Sequence, residues 1–309
     1  MLTLGFDTSN YTTSCAVYRG VDGENFSRLL DVPEGMIGLR QSEALFSHIK
    51  RLPELSDRLF ARLRGERPDA IGVSTRPRAV EGSYMPCFLA GQSLAQVLGQ
   101  ALGVPVFEVS HQQGHIAAAL WSAGRTELLD EPHLAWHLSG GTTELLLVTP
   151  EDGNVRCERI GGTKDISAGQ LIDRTGRLLG MRFPAGKELD EAAEQAGSTP
   201  FFRVRVEDCG FSLSGVQNQA EAFFAKTGDK NETAAFVLLT VARAVRKATE
   251  QALREHPGLP ILFSGGVASN RLLRRSLAPL APVFAAPAFS TDNAMGPAVL
   301  ASRLMRRKE

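Results

Sequence analysis

Two short stretches of this chain are written to one plan, and they constrain its fold more than any other feature. Residues 2–18, LTLGFDTSNYTTSCAVY, read as an apolar strand, a tight turn of Asp, Ser, Asn and Thr, and a second strand rich in small and β-branched residues. Residues 134–148, LAWHLSGGTTELLLV, repeat the plan around a Ser-Gly-Gly-Thr-Thr turn. After each hairpin, strand and helix patterns alternate. The first is followed by helical periodicity over roughly 39–64, a strand at Ala70–Ser74, a helix over roughly 87–102, a strand at Val104–Val109 and a short helix from His111. The second is followed by helices over roughly 167–179, 187–196, 212–226 and 231–255, a strand at Pro260–Ser264, and helices over roughly 267–278 and 292–307. A short strand around Pro282–Ala285 sits in a Pro-rich loop. This order predicts an α/β protein with an internal duplication, one half over residues 1–132 and a second over 133–309. In mainly parallel sheets ligands gather where strand ends meet turns, so a cleft between two similar halves is the expected site.

Composition narrows the class. At 309 residues, 43% hydrophobic and 22% charged, the chain is neither collagen, coiled coil nor bulk disorder. No run approaches eighteen apolar residues, and MLTLGFDTSN has no basic n-region, so neither export nor membrane spanning is expected. Cys15, Cys87, Cys157 and Cys209 are far apart with no C-x-x-C pair, which predicts no thiolate zinc site and no disulfide framework and fits a reducing cytoplasm. Lys and Arg total 34, as do Asp and Glu, but from Thr240 onward eleven Lys/Arg face only four acids. That basic region, with Arg271, Arg274 and Arg275 near its centre, fits a phosphate backbone or, equally, solvated helix faces.

Glycine and hydroxyl residues between strands let backbone N–H groups approach phosphate oxygens. Three places qualify: Asp7-Thr8-Ser9-Asn10, Ser139-Gly140-Gly141-Thr142-Thr143 and Ser264-Gly265-Gly266. Each alone reads as an ordinary turn; together they suggest a nucleotide phosphate. A helix is expected directly after Gly266, with Asn270 one turn in, either facing the ligand or serving as a first-turn polar residue. Asp173, on the helical segment after Gly161-Gly162-Thr163, is placed to accept from ribose hydroxyls or to be an exposed helix acid.

His111 and His115 stand at i and i+4 at the start of a helix, where two imidazoles project from one face and can share a metal ion. Ser110 is a candidate N-cap. Position 112 is Gln, so the H-E-x-x-H of zinc peptidases is absent and peptidase activity is disfavoured. Two ligands leave a site incomplete; a carboxylate must come from elsewhere, and spacing does not identify it. The alternative is a pair of surface or hydrogen-bonded histidines. His48, His133, His137 and His256 lack such pairing.

The ordered series GFDTS, HQQGH, LSGGTTELLLV, DISAGQLIDRTGRLLG, FPAGKELD, FSLSGVQN, FSGGVASNR and STDNA resembles the threonylcarbamoyl transferase subunit of the tRNA threonylcarbamoyladenosine synthases. That family was formerly labelled O-sialoglycoprotein endopeptidase or glycoprotease, and it belongs to the sugar kinase/Hsp70/actin superfamily. The resemblance runs from about residue 3 to residue 302. It implies a duplicated actin-like ATPase fold with a central cleft. It also implies that His111 and His115 are metal ligands with Asp292 as the third, holding one divalent ion, Fe2+ or alternatively Zn2+. His137, Leu138, Ser139, Gly140, Gly141, Asp173, Gly186, Asp190 and Asn270 become the pocket for an adenine nucleotide. The implied reaction is transfer of a threonylcarbamoyl group from threonylcarbamoyl-AMP to the exocyclic amine of the adenine 3′ of the anticodon in tRNA. The implied partners are tRNA, a smaller paralogous subunit lacking the metal motif and a P-loop ATPase subunit, in the cytoplasm and without a membrane. No catalytic base is identified.

Four departures from the family pattern mark the chain as a divergent paralogue. Where members have a first turn like ETSCDET, this chain has Asp7-Thr8-Ser9-Asn10-Tyr11-Thr12-Thr13. The glutamate of H-x-E-G-H is Gln113, the histidine of SGGHT is Thr142, and DDAAGE becomes Asp165-Ile166-Ser167-Ala168-Gly169-Gln170. These changes leave open a non-catalytic nucleotide- and metal-binding paralogue that regulates the modification complex, or a carbamoyl-type transferase with another acceptor.

Overall fold

The computed structural model describes residues 1–9, 11–31, 39–198 and 200–307; Asn10 of the first turn, and Lys308 and Glu309 of the basic region, lie outside the described residues. The chain divides into two compact units, Met1–Glu131 with Thr149–Cys157 and Thr291–Glu309, and Pro132–Val148 with Glu158–Ser290. This differs from a simple division at residue 132, because the last helix belongs with the first unit.

In the first unit, β1 (Thr3–Ser9), β2 (Thr12–Tyr18) and β3 (Gly23–Leu29) lead to α1 (Gln41–Leu63), β4 (Ala70–Arg76), α2 (Leu89–Leu102), β5 (Val106–Ser110) and α3 (His111–Ser122). Its sheet runs β3-β2-β1-β4-β5, with β1 antiparallel to β2 and parallel to β4. The second unit contains β6 (His133–Leu138), most of β7 (Thr143–Glu151) and β8 (Asn154–Thr163), then α4 (Ala168–Leu178), α5 (Gly186–Glu194), β9 (Gly210–Phe211), α6 (Ser214–Thr227), α7 (Lys230–Glu255), β10 (Ile261–Ser264), α8 (Arg271–Leu277) and β11 (Val283–Phe284). The chain then returns to the first unit for α9 (Met295–Arg306). The second sheet runs β11-β10-β6-β7-β8-β9. Read from β8 to β11 it repeats the order of the first sheet, with β9 added at one edge, which is the duplication the two hairpins predict. No helix among the described residues is long and apolar enough to cross a membrane.

Strand β1 is buried along its whole length, so both faces are covered. Leu4 and Phe6 pack with Leu52, Leu55 and Leu59, which recur on one face of α1. The other face, at period two, carries Thr3, Gly5 and Asp7. Thr3 Oγ1 donates to the Ala298 carbonyl of α9 at 2.8 Å. A Cβ on Gly5 would lie 2.1 Å from the Ala294 carbonyl oxygen, and one on Gly72 of β4 would lie 2.0 Å from that of Pro297. Helix α9 therefore rests on a bed that side chains would fill. On its far side a Cβ on Gly296 would sit 1.9 Å from the Gly114 carbonyl oxygen of α3, so the two helices meet backbone to backbone. That contact sets the loop before α9 beside the first turn of α3.

The second unit's core centres on Trp136, stacked on Phe263 with ring centroids 6.5 Å apart and packed against the apolar face of α7. Three strands escape the sequence pattern: β3 and β8 are rich in polar residues, and β9 has only two residues. Two helices also begin later than periodicity suggests. Residues Gly266–Ser269 form a separate 3-10 turn, with α8 starting at Arg271, and α9 starts at Met295 and leaves Asp292 in the preceding loop.

Candidate metal centre and nucleotide-side turns

Helix α3 starts with a buried reciprocal cap. Ser110 Oγ accepts from the Gln113 N–H at 3.2 Å, and Gln113 Oε1 accepts from the Ser110 N–H at 2.9 Å. Gln113 Nε2 donates to the Val155 carbonyl at 2.7 Å. The residue that replaces the family's glutamate is thus a structural amide using both ends of its side chain; a carboxylate could accept for the cap but could not donate to Val155.

With the helix start fixed, His111 and His115 turn their Nε2 atoms toward each other, 2.9 Å apart. Asp292 Oδ1 stands 3.5 Å from the first and 3.3 Å from the second. The three ligand atoms lie within 4.8 Å of one another. Asp292 is held by its own loop: Asn293 Oδ1 accepts from the Met295 N–H, and Asn25 Oδ1 of β3 accepts from the Ala294 N–H. The carboxylate that spacing could not identify as a candidate third ligand is brought in by the seating of α9.

Sequence reasoning placed Asp7 only in a turn. The structure places it, 1% exposed, behind His111, with Oδ2 2.8 Å from Nδ1. A carboxylate accepts only, so Nδ1 carries a proton toward Asp7 and Nε2 is the nitrogen that faces the cluster. The signal available was a carboxylate at the end of an apolar strand; its partner, 104 residues away, was not legible.

Electrostatics follow from this geometry. Burial alone would lower the His111 pKa, but Asp7 and Asp292 outweigh it and carry it up to about 10. Burial works against ionised Asp292 as well, yet its hydrogen bonds to His111 and His115 hold it well below the usual carboxylate range. Two imidazole nitrogens facing each other at 2.9 Å repel as lone pairs unless a proton or a metal cation lies between them. Separations near 3 Å are those of donors about 2 Å from a shared centre. Two nitrogens and one carboxylate oxygen, one imidazole backed by a second acid, are a donor set that fits a divalent transition ion with positions left for substrate.

The second unit holds the residues expected around a nucleotide. The turn after β6 closes on itself: Ser139 N–H donates to the Thr142 carbonyl at 2.8 Å, and Ser139 Oγ accepts from the Thr142 N–H at 3.1 Å. Leu138 is buried in the sheet, and His137 Nδ1 lies 3.3 Å from Ser264 Oγ. Among the described residues, nothing beyond the chain neighbours lies within 4 Å of where a Cβ on Gly140, Gly141, Gly186 or Gly266 would be, so the backbone there is open. Gly265, at φ 92°, passes so close to β6 that a Cβ would sit 2.1 Å from the Leu138 carbonyl oxygen.

Two acids proposed for the pocket have internal partners. Asp173 Oδ1 accepts from the Ala185 N–H at 2.9 Å, and burial pushes its pKa up. Asp190, 8% exposed, accepts from the Arg271 and Leu272 N–H groups and from Arg271 Nε at 3.1 Å, so it anchors the first turn of α8. Asn270 is the N-cap of α8: its Oδ1 accepts from the Leu273 N–H at 2.8 Å. Its Nδ2 is buried with no hydrogen-bond partner among the described residues, a donor available for a ligand.

The three arginines singled out for phosphate contact are also engaged. Arg271 bridges Asp190 and Glu194, Arg275 pairs with Glu194 at 2.8 Å, and Arg274 stacks on Phe284 while donating to the Ala268 and Ala285 carbonyls. Of the two readings offered for this region, neither counted on these internal partners.

Comparison with known proteins identifies the family. The family model described as tRNA N6-adenosine threonylcarbamoyltransferase matches residues 36–299. A tRNA N6-adenosine threonylcarbamoyltransferase of Lactobacillus gasseri is 31% identical over 89% of this chain and 80% of its own length. One of Verminephrobacter eiseniae is 30% identical over 90% of this chain and 82% of its own. Among solved structures, full-length HypF in its phosphate- and nucleotide-bound form superposes with a TM-score of 0.62 at 18% identity, covering 98% of this chain and 46% of HypF. Component A of the Acidaminococcus fermentans (R)-2-hydroxyglutaryl-CoA dehydratase gives 0.58 at 15% identity, with all of both chains covered. The ROK hexokinase of Thermus thermophilus gives 0.53 at 17% identity, again covering both chains entirely. At these identities the structures speak for the actin-like, sugar-kinase type of fold alone. The family match covers most of the chain and the relatives about nine tenths of it, so this chain belongs to the tRNA N6-adenosine threonylcarbamoyltransferase family of transferases.

Proposed function

We propose that this protein is a metal-dependent transferase that moves a threonylcarbamoyl group from threonylcarbamoyl-AMP to the exocyclic amine of the adenine 3′ of the anticodon in tRNA. The observation that carries the reading is the convergence of His111, His115 and Asp292, with Asp7 behind His111, in a chain of this family. A bound divalent ion, Fe2+ or Zn2+, would supply a Lewis acid for the donor's phosphate or carbamoyl oxygen. Asp7 keeps a His111 proton on Nδ1, and Asp292 would supply the negative charge among the three residues that would hold the ion.

On the nucleotide side, the open backbone at Gly140, Gly141 and Gly266 and the unpartnered Asn270 amide are suited to an adenylate. His137, Leu138 and Ser139 build the first of those turns, Gly186 begins α5, and Asp173 and Asp190 hold neighbouring backbone in place. In the transfer the amine nitrogen bonds to the carbamoyl carbon as that carbon's bond to the phosphate oxygen breaks, AMP leaves with the electron pair, and the amine gives up one proton to the departing phosphate or to water. An aromatic amine is a weak nucleophile, so alignment of the two reactants is the larger part of catalysis. No side chain is assigned as a general base. The reading includes tRNA, a smaller paralogous subunit without the metal motif and a P-loop ATPase as partners, and a cytoplasmic setting.

The departures at Tyr11 and Thr142 favour one second reading, a nucleotide- and metal-binding paralogue without turnover or with another acceptor. Gln113 no longer counts toward it, because its side chain caps α3. The test gives the purified protein and its partners threonylcarbamoyl-AMP and unmodified tRNA and follows nucleosides by mass spectrometry. The modified nucleoside is expected. Its absence, while an authentic enzyme succeeds in the same mixture, overturns the reading; nucleotide binding without turnover then supports the second one.

A further inference from the structure

With the α8 arginines tied to acids and carbonyls, the question becomes which basic side chains of the second unit remain free. Arg243 and Lys247 lie one turn apart on the exposed side of α7, and Arg203 is exposed on the irregular segment 200–206 that runs beside it. None of the three makes a hydrogen bond or ion pair among the described residues. Their neighbours do: Arg205 pairs with Glu207, and Arg246 with Glu250 at 2.8 Å. Glu207 and Glu250 are thus drawn off, and Arg203, Arg243 and Lys247 have no ion-pair partner among the described residues.

Between these cations stand two adjacent phenylalanines, Phe201 and Phe202, 39% and 37% exposed. The Arg243 guanidinium carbon lies 3.5 Å from the centroid of the Phe201 ring. The Phe202 N–H donates to Thr240 Oγ1 at 2.8 Å, which pins the segment to α7. A pinned pair of half-exposed rings flanked by free cations has the two elements that unpaired nucleic acid requires, flat faces for bases and positive charge for phosphates. A protein partner would also use aromatic and arginine contacts, but three uncompensated cations in one patch favour a polyanion.

We propose that Phe201, Phe202, Arg203, Arg243 and Lys247 form a docking surface for an unpaired loop of the tRNA. The proposal rests on the reading that this protein acts on tRNA and adds where the RNA is held. Bases stack on the phenylalanine rings; phosphates sit at Arg203, Arg243 and Lys247.

The test is titration of fluorescently labelled unmodified tRNA at several salt concentrations against wild type, Phe201→Ala, Arg203→Glu and the double variant Arg243→Gln/Lys247→Gln. Phe201→Ala is expected to raise Kd about tenfold. The double variant, which removes two phosphate contacts, should lower the slope of log affinity on log salt by roughly 1.5. Arg203→Glu should weaken binding with an unchanged melting temperature, because that side chain holds nothing in the fold, which separates loss of docking from loss of structure. Wild-type tRNA binding with Arg203→Glu and the double variant unaffected overturns this surface and leaves the transferase reading intact. A wild-type protein that binds no tRNA overturns both. Variants that keep tRNA affinity but lose activity only when the accessory subunits are present would make the patch a protein contact and overturn the RNA assignment.

Discussion

Helices α3 and α4 begin with the same device and are put to different use. Each opens on a Ser-x-x-Gln capping box, Ser110 with Gln113 in one unit and Ser167 with Gln170 in the other. In α3 the box is buried, its glutamine spans to Val155, and the first residue of the helix is a candidate ligand. In α4 the glutamine is exposed, and the start of the helix serves the glycine turn: Ser167 Oγ donates to the Gly140 carbonyl at 2.6 Å and the Ala168 N–H donates to Thr143 Oγ1 at 2.8 Å. A local motif therefore fixes where a helix starts. What that start does is decided by residues far away in sequence, Asp7 and Asp292 for α3 and the Ser139–Thr143 turn for α4.

The largest expected difference between the two helix starts lies at the candidate metal site. His111→Ala should lower bound metal at least a hundredfold, measured by elemental analysis after dialysis against a buffered ion, and with it transferase activity. Unchanged metal content would show that α3 carries no more chemistry than α4.

Acid should reveal another property of the first unit. His48 is fully buried, with Nδ1 2.8 Å from Thr13 Oγ1, and burial lowers its pKa from 6.5 to about 4. Below pH 6.5 the unfolded chain takes up a proton that the folded chain refuses until about pH 4. Stability is thus complete above the higher value and falls through that window, by up to about 3 kcal/mol. Denaturant unfolding against pH, with chelator present to remove any metal contribution, should show this slope and His48→Gln should flatten it.

Asp7→Asn keeps the shape of the carboxylate but removes its charge, and should weaken metal affinity by about 10–100-fold without unfolding the protein. Competition with a chromogenic chelator reads the change; an effect below twofold would make Asp7 a bystander.

The two glutamines give the smallest and most discriminating pair. Gln113→Glu leaves the Val155 carbonyl without its donor and should cost about 1–3 kcal/mol, while Gln170→Glu should change stability by less than about 0.5 kcal/mol, since either side chain completes an exposed cap. Equal costs in thermal unfolding would mean that the two starts are not different after all.

Much of this architecture is legible in the sequence because it is local. Both hairpins, the long helices and the His111–His115 pair follow from periodicity and spacing that a single segment carries. What is not legible depends on packing between distant segments. Polar β3 and β8 become strands because neighbours supply their hydrogen bonds, not because their side chains announce it. Asn270 reads as a residue inside a helix but is the cap that starts one, since Asp190, 80 places earlier, accepts the N–H groups of the next two residues. Gln113 and Gln170 read as lost acids near a site; both are caps.

The return of the chain to its first unit has a consequence for how the protein is made. Asp7, His111 and His115 leave the ribosome early, and the whole of the second unit is synthesised before Asp292 and α9 follow. At roughly 5–20 residues per second, the glycine-lined bed on β1 and β4 waits on the order of ten seconds or more for the helix that covers it. On the proposed metal reading, the three candidate ligands are all present only once synthesis has passed residue 292. Chains that stall anywhere in the second unit are born without the finished centre.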